Sequence, residues 1–427
     1  MKVSNYNFFI PYKDNKVIAY NSFTNALGLL ERKDYVEFKK NQKNIDSLND
    51  FKLIEELRKG GFIIEDEINE LEIIRTRMYR DRFNDDMLGL TIVPTADCNF
   101  RCIYCYEKNS IRKEKMSKDT MDKIIDFVNN KSSSLKHLSI TWYGGEPLLA
   151  LAEIEYMSKK FFDICKKNNI SYSAGIVTNG YLLTIKNLKK LKELKINDIQ
   201  ITIDGDKESH NKRRCLENGS GTFDKIIENI DKGKELLPPT SLRINVDKSN
   251  YKNIYGLLNL LMKKGLNKYV YPYLGHVKNG NDTYDYDICL SIEDFSKLVI
   301  EFDRLIKNTP NHNYPVLKTV SCTADRFNSF VIDVDGTLYR CWDDVGMSEL
   351  KTGNINNLNL NKEFTKYLTM DATLDDNCSK CKFLAICMGS CPKNFYNKNR
   401  NCSKYKYILY DFLSYYVDYY NNKVVKI

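Results

Sequence analysis

Apolar and polar positions alternate with two periods along this chain, and the change of period divides it into three parts. Alternation of period two predicts strands at 7–12 and 16–20. Helical spacing follows at 23–30, 35–40 and 51–59, ending at Gly60-Gly61, and Phe62-Ile63-Ile64 predicts a returning strand. A charged stretch over 65–86 predicts a linking helix, so the first part spans 1–86. From 88–94 the pattern becomes a regular exchange of strand and helix. Strands are predicted at 88–94, 138–142, 173–178, 199–203, 242–246 and 269–273, with helices at 118–130, 153–168, 185–194, 222–234, 253–264 and 292–307. Repeated units of this length predict an α/β fold with a parallel sheet and outer helices, either barrel-like or doubly wound. The exchange ends near 310, which bounds the second part at 87–310. The third, 311–427, is rich in loops and cysteine and closes with an aromatic helix at 405–420.

Composition narrows the class. Apolar residues are 42% of 427 and charged residues 28%, a globular balance. No run of eighteen apolar residues occurs, and the first fifteen residues contain no small-residue cleavage site, which predicts a cytoplasmic protein without a membrane partner. The formal charge of +9 is spread along the chain rather than gathered into a block, so no nucleic-acid partner is expected. Thirteen cysteines in a reducing compartment point to metal or cluster ligation rather than disulfides.

The cysteines supply the chemistry. Cys98, Cys102 and Cys105 follow the first strand of the alternating part, where α/β enzymes place their reacting groups. Three thiolates on one loop hold three irons of a cubane and leave the fourth iron open to a substrate. A structural zinc ion, the main rival, needs a fourth ligand that this loop lacks. The spacing, with Tyr104 before the last cysteine, resembles the radical S-adenosylmethionine (radical SAM) superfamily. That resemblance implies a partial (β/α)6 TIM-like barrel, a [4Fe-4S] cluster and S-adenosylmethionine as cofactors. It also implies cofactor contacts from Gly144-Gly145-Glu146-Pro147, in which Glu146 is an acceptor for the methionine amino group. Thr202 matches the ribose contact, Arg214 the carboxylate-binding arginine, and Tyr104 a backbone contact to the adenine. His210 reads as structural.

In the tail, Cys322 and Cys341 precede Cys378, Cys381, Cys387, Cys391 and Cys402. With Gly336 five residues before Cys341, this order resembles the twin-cluster SPASM domain of peptide-modifying members. The resemblance implies two auxiliary [4Fe-4S] clusters, hence three in all. Cys378, Cys381, Cys387 and Cys402 would complete the outer one. Cys322, Cys341 and Cys391 would leave an open iron on the inner one for a substrate thiolate. Cys165, Cys215 and Cys289 are left over, and small buried hydrophobes are the ordinary reading for such thiols.

By its layout, the leading part resembles the winged-helix-like recognition module of ribosomal peptide maturases, which holds a precursor leader by adding a strand to a sheet edge. The expected function is therefore peptide maturation through a 5'-deoxyadenosyl radical, giving a cysteine thioether crosslink. A precursor peptide with a leader and a one-electron reductant such as flavodoxin or ferredoxin would be the partners. No residue is assigned to acid–base catalysis. An anaerobic sulfatase maturase is the first alternative, although that family has its catalytic aspartate directly after the cysteine matching Cys341, where this chain has Trp342. Other SPASM chemistry, such as carbon–carbon crosslinking or epimerisation, is a second. A non-catalytic cluster-binding or electron-transfer protein is a third.

Overall fold

A computed structural model describes residues 1–278, 283–306, 310–356, 361–395 and 400–420. The chain forms two compact units that do not follow the boundaries at 86 and 310. One comprises 1–83, 292–326 and 369–427, and the other 84–291 and 327–368.

In the first unit, β1 (Asn7–Tyr12), β2 (Lys16–Asn21) and β3 (Ala26–Glu31) make an antiparallel meander. The helical spacing at 23–30 is overturned here, for a local reason. Asn21 accepts hydrogen bonds from the amides of Phe23 and Thr24 at 2.9 Å each, and Asn25 takes a left-handed φ of 63°. That is hairpin chemistry, and it turns the following apolar run back along β2. Helices Arg32–Asn41, Phe51–Lys59 and Glu70–Arg82 follow, the second capped by Asp50 and the third by Asn69. Ile63–Ile64 returns to pair with Lys2–Val3.

Both faces of the meander are covered. Val17, Ala19 and Leu30 pack with Phe38, Leu57 and Phe62, while Phe8, Ile18 and Tyr20 pack on Leu409, Phe412 and Leu413 of the helix Tyr405–Tyr419. The helix predicted at 292–307 is present as Ile292–Leu305, and residue 307 lies outside the described residues.

The second unit carries a nine-stranded sheet. Its strands are β4 (Met87–Ile92), β5 (His137–Trp142), β6 (Ser171–Thr178), β7 (Ile196–Thr202), β8 (Thr240–Val246), β9 (Val270–His276), β10 (Ser329–Ile332), β11 (Thr337–Tyr339) and β12 (Gly353–Asn354). They lie in the order β9-β8-β7-β6-β5-β4-β10-β11-β12. From β4 to β9, strands adjacent in sequence are adjacent in space and parallel. Right-handed crossovers without a reversal of order put every connecting helix on the same side, so the sheet is of the partial-barrel type and not doubly wound. The sheet continues past the expected boundary: β10 joins the free edge of β4 in parallel, and β11 and β12 extend it. Caps set the helix starts. Ser117 accepts from the Thr120 amide and Thr184 from that of Asn187. Among the described residues no helix is long and apolar enough to cross a membrane.

Candidate active site

Loops at the carboxyl ends of β4 to β9 surround a cavity of about 400 Å³. Cys98, Cys102, Tyr104, Cys105, Gly144, Gly145, Thr202 and Arg214, all expected at the site, line it together. Burial pushes all three thiols up, Cys105 to about 12, and the charge of Cys102 adds to the effect at both Cys98 and Cys105. Thiols held this way ionise only when a positive centre takes the proton's place, which fits iron ligation. Among the described residues, no three His, Cys, Asp or Glu side chains are disposed to hold a single metal ion.

Two glycines hold the cysteine loop against β5. Gly144 has φ +109°, and a Cβ there would lie 2.6 Å from Val93 Cγ1. A Cβ on Gly145 would lie 2.2 Å from the Asp97 carbonyl oxygen, a backbone atom one residue before Cys98. Only glycine permits this approach.

Glu146 and Pro147 are buried and do not line the cavity. Instead of facing a ligand, the Glu146 carboxylate accepts hydrogen bonds from Thr178 Oγ1 at 2.7 Å, the Asn179 amide at 2.7 Å and the Leu148 amide at 3.1 Å. It ties the end of β5 to the end of β6. Three internal donors hold the carboxylate in place and occupy most of its acceptor positions.

Arg214 is brought to the cluster loop by a short antiparallel pair, Phe100–Cys102 with Arg214–Leu216, in which Arg214 stands opposite Cys102. Its Nη1 donates to Tyr104 Oη at 2.7 Å, whereas its buried Nε has no partner among the described residues. A buried donor without an acceptor is costly and suits an anionic ligand. Tyr104 Oη also accepts from Asn245 Nδ2 at 3.0 Å and donates to Asp204. Asp204 in turn faces Arg213, whose Nη1 lies 2.6 Å from Asp247 Oδ2. Arg213, Asp204 and Asp247 escaped the sequence reading, although a second arginine beside Arg214 and an acid ending β7 were visible signals.

The remaining walls include Glu107, Tyr143, Trp342 and Asp343, with Tyr143 and Trp342 in ring contact at 4.5 Å. Burial, with Asp333 and Asp343 nearby, pushes the Glu107 carboxyl up to about 8.

His210 is structural, as expected. The Asp204 amide donates to Nδ1 at 3.2 Å, and Thr222 Oγ1, which donates to the Arg214 carbonyl, takes the Nε2 proton at 2.9 Å. Burial, with Arg214 and Arg213 adding to it, holds His210 well below its usual range and therefore neutral. The unfolded chain binds a proton here below pH ~6.5 that the folded chain refuses, so stability is complete above that pH and falls as pH drops. The expected loss is about 1 kcal/mol between pH 6.5 and 5.5 relative to His210→Gln, read from urea unfolding of both proteins at the two pH values. Equal losses would contradict the neutral assignment.

In the other unit, Cys378, Cys381, Cys387 and Cys402 surround a second cavity of about 80 Å³, with Arg400 and Lys406 on its wall. Burial pushes the Cys378 thiol up to about 12. Lys406 Nζ lies 3.5 Å from Cys402 Sγ. Cys322 is exposed, and its loop is held by buried Asp325, which accepts from the Cys322 amide at 3.0 Å and pairs with Arg82 at 3.3 Å. Ser321 Oγ donates to the Met388 carbonyl, which ties that loop to the turn preceding Cys391. Cys341 belongs to the barrel unit. Of the leftover cysteines, Cys165 is buried, while Cys215 and Cys289 donate to backbone carbonyls.

Residues 92–267 match the model of the Radical SAM superfamily. An uncharacterised protein of Methanocaldococcus jannaschii is 30% identical over 282 residues, covering 64% of this chain and 91% of its own length. A cysteine-type anaerobic sulfatase-maturating enzyme of Clostridium novyi is 25% identical over 339 residues, 72% of this chain and 88% of that one. Among solved structures, Streptococcus suis SuiB bound to its precursor peptide SuiA superposes with a TM-score of 0.53 at 13% identity, covering 93% of this chain and 97% of SuiB.

Proposed function

From the premise that the chain belongs to the radical SAM superfamily, we propose that it is a peptide maturase that forms a cysteine thioether crosslink. The observation that carries the reading is the convergence of Cys98, Cys102, Cys105, Gly144 and Arg214 on one cavity at the barrel mouth. Cys98, Cys102 and Cys105 would hold a [4Fe-4S] cluster, and S-adenosylmethionine would lie against Gly144, Gly145, Thr202 and Arg214. Together these cofactors supply a 5'-deoxyadenosyl radical that removes hydrogen from carbon.

The chain's own part is orientation and exclusion of water. Arg214, held by Tyr104, offers its unpaired Nε to the cofactor carboxylate. Gly144 and Gly145 keep the cysteine loop close to the end of β5, while Tyr143 and Trp342 form an apolar wall that keeps a carbon radical from solvent. Cys378, Cys381, Cys387 and Cys402 would hold one auxiliary cluster, and the thioether reading calls for a second with an iron free for a peptide thiolate. The meander β1–β3 would take the leader. Both of its faces are packed, and among the described residues no strand pairs with the outer edges of Asn7–Tyr12 and Ala26–Glu31, which would be the places for strand addition.

The sulfatase-maturase reading stands second. It is favoured by the Clostridium novyi relative and by Asp343 on the cavity wall, one residue beyond the position at which that family has its aspartate. Mass spectrometry of a cysteine-containing precursor, encoded beside the gene and incubated with reduced holoenzyme and S-adenosylmethionine, separates the two. Loss of two hydrogens with sulfur retained and the thiol blocked is the expected result. Loss of sulfur from that cysteine would transfer the assignment to formylglycine formation, and an unmodified thiol in the product would end the thioether reading.

A further inference from the structure

The cavity contains a second arginine that the cofactor does not account for. Arg243 lies on β8, in register between Thr202 of β7 and Tyr273 of β9, and faces the barrel interior. Ser241, Arg243 and Asn245 share that face, whereas Leu242, Ile244 and Val246 are fully buried on the other.

The side chain has a built seat. Its Nε donates to Asn245 Oδ1 at 2.7 Å, and Nη1 lies 3.5 Å from Tyr273 Oη, which itself donates to Gln200 Oε1 at 2.5 Å. Gly275 leaves room for it, since a Cβ there would stand 2.6 Å from Arg243 Nε and from Asn245 Oδ1. Among the described residues no carboxylate pairs with Arg243. Its hydrogen-bond partners are neutral, and His276 and Lys278 are among the other residues that line the cavity. A guanidinium fixed by neutral groups in a concave site, with its fork unmatched, is arranged for a carboxylate from outside.

Two carboxylates are thereby distinguished. Arg214 stands opposite Cys102 in the short antiparallel pair, whereas Arg243 stands on β8 between Thr202 and Tyr273 and is seated on Asn245. S-adenosylmethionine brings one carboxylate, which belongs at Arg214 beside the cluster loop. Resting on the peptide reading above, we infer that Arg243 is a specificity-determining residue that receives a carboxylate of the substrate peptide, that of an aspartate or glutamate side chain at or next to the attacked carbon. The site therefore selects an acidic residue over its amide isostere.

The test uses holoenzyme and three probes with a perdeuterated central residue: N-acetyl-Ala-Glu-Ala amide, its Gln counterpart, and the Gln peptide with a free terminal carboxylate. Dithionite supplies the electron. Each 5'-deoxyadenosyl radical that reacts with a probe takes one deuterium atom, which is read in 5'-deoxyadenosine by mass spectrometry. The Glu probe should deliver about tenfold more deuterium than the Gln amide, the scale of one charge-assisted hydrogen bond. Without reductant, ligand-observed NMR should give the same order of affinities. Arg243→Gln should abolish the preference while total 5'-deoxyadenosine stays within about twofold, and Gly275→Ala, which displaces the arginine but keeps its charge, should weaken it. Equal delivery from the Glu and Gln amides would overturn the inference. A preference for the free terminus would replace the side chain by the chain end and overturn it as stated. Loss of all 5'-deoxyadenosine in Arg243→Gln would move the residue to the cofactor and overturn it too. A wild-type enzyme that made no 5'-deoxyadenosine would instead defeat the proposed function itself.

Discussion

Replacing Cys98, Cys102 and Cys105 together by alanine should leave a folded protein that forms no 5'-deoxyadenosine and holds about four fewer irons and sulfides than the wild type. The three thiols are half-buried outside the nine-stranded sheet, and among the described residues Cys98 Sγ accepts only from the Phe100 amide, at 3.4 Å. Their loss therefore costs little packing. The loop keeps its other attachments, including the Ala96 amide to the Glu114 carbonyl and the Ile103 amide to the Arg213 carbonyl, both at 3.0 Å. Anaerobic purification with iron and sulfide analysis, then cofactor cleavage under dithionite, measures both effects. Cys165→Ala serves as the comparison. That thiol is buried within the helix Leu151–Lys167, so its removal should leave the iron content unchanged. Full iron content in the triple variant would place all clusters elsewhere and remove the basis of the functional reading.

The parallel part was the most legible in the sequence, because each of its strands is bounded by a helix of contrasting period and the two signals reinforce each other. Ala26–Glu31 was not legible. Its apolar residues fit a helical stripe as well as a strand, and the deciding feature is the turn built by Asn21 and Asn25. The continuation of the sheet through Ser329–Ile332 was hidden for another reason, since four residues with no following helix carry too short a pattern. At the site, the cysteines and glycines that line the cavity were visible as motifs, whereas the internal donors to Glu146 were not, because spacing does not show which way a carboxylate turns. The partners of Tyr104 were equally hidden: Asp204, Arg214 and Asn245 are 100, 110 and 141 residues away, and only strand register brings them together. Arg243 did leave a trace. Polar residues at 241, 243 and 245, alternating with apolar ones in a buried strand, mark an inner face that is not simple core.

Asp204→Ala should be the most destabilising single change near the site, and it should also weaken cofactor binding. The Asp204 side chain is fully buried; one oxygen accepts from the Asn245 amide at 3.1 Å, and the other takes the Tyr104 hydroxyl and faces Arg213 Nε at 3.4 Å. Removing it takes the acceptor from the Asn245 amide and from the Tyr104 hydroxyl proton, and leaves Arg213, 3% exposed, with Asp247 as its remaining carboxylate. Breaking a buried ion pair from one side costs about 3–5 kcal/mol, far more than the pair contributes against an apolar replacement, because the remaining charge stays desolvated. For units of this size that corresponds to a Tm lower by about 10 °C. Tyr104 then loses its acceptor and holds Arg214 less firmly, so S-adenosylmethionine affinity should fall about tenfold even at temperatures where the variant is folded. Asp204→Asn retains an acceptor for the Asn245 amide and should recover part of the stability. Tyr104→Phe separates the two effects, since it removes the link to Arg214 and leaves the Asp204–Arg213–Asp247 network in place. In the double variant Asp204→Ala/Tyr104→Phe, the two losses of affinity should not add, because both act by releasing the same guanidinium. Additive losses, or a Tm within a degree of the wild type for Asp204→Ala, would show that Arg214 is positioned by something other than this network.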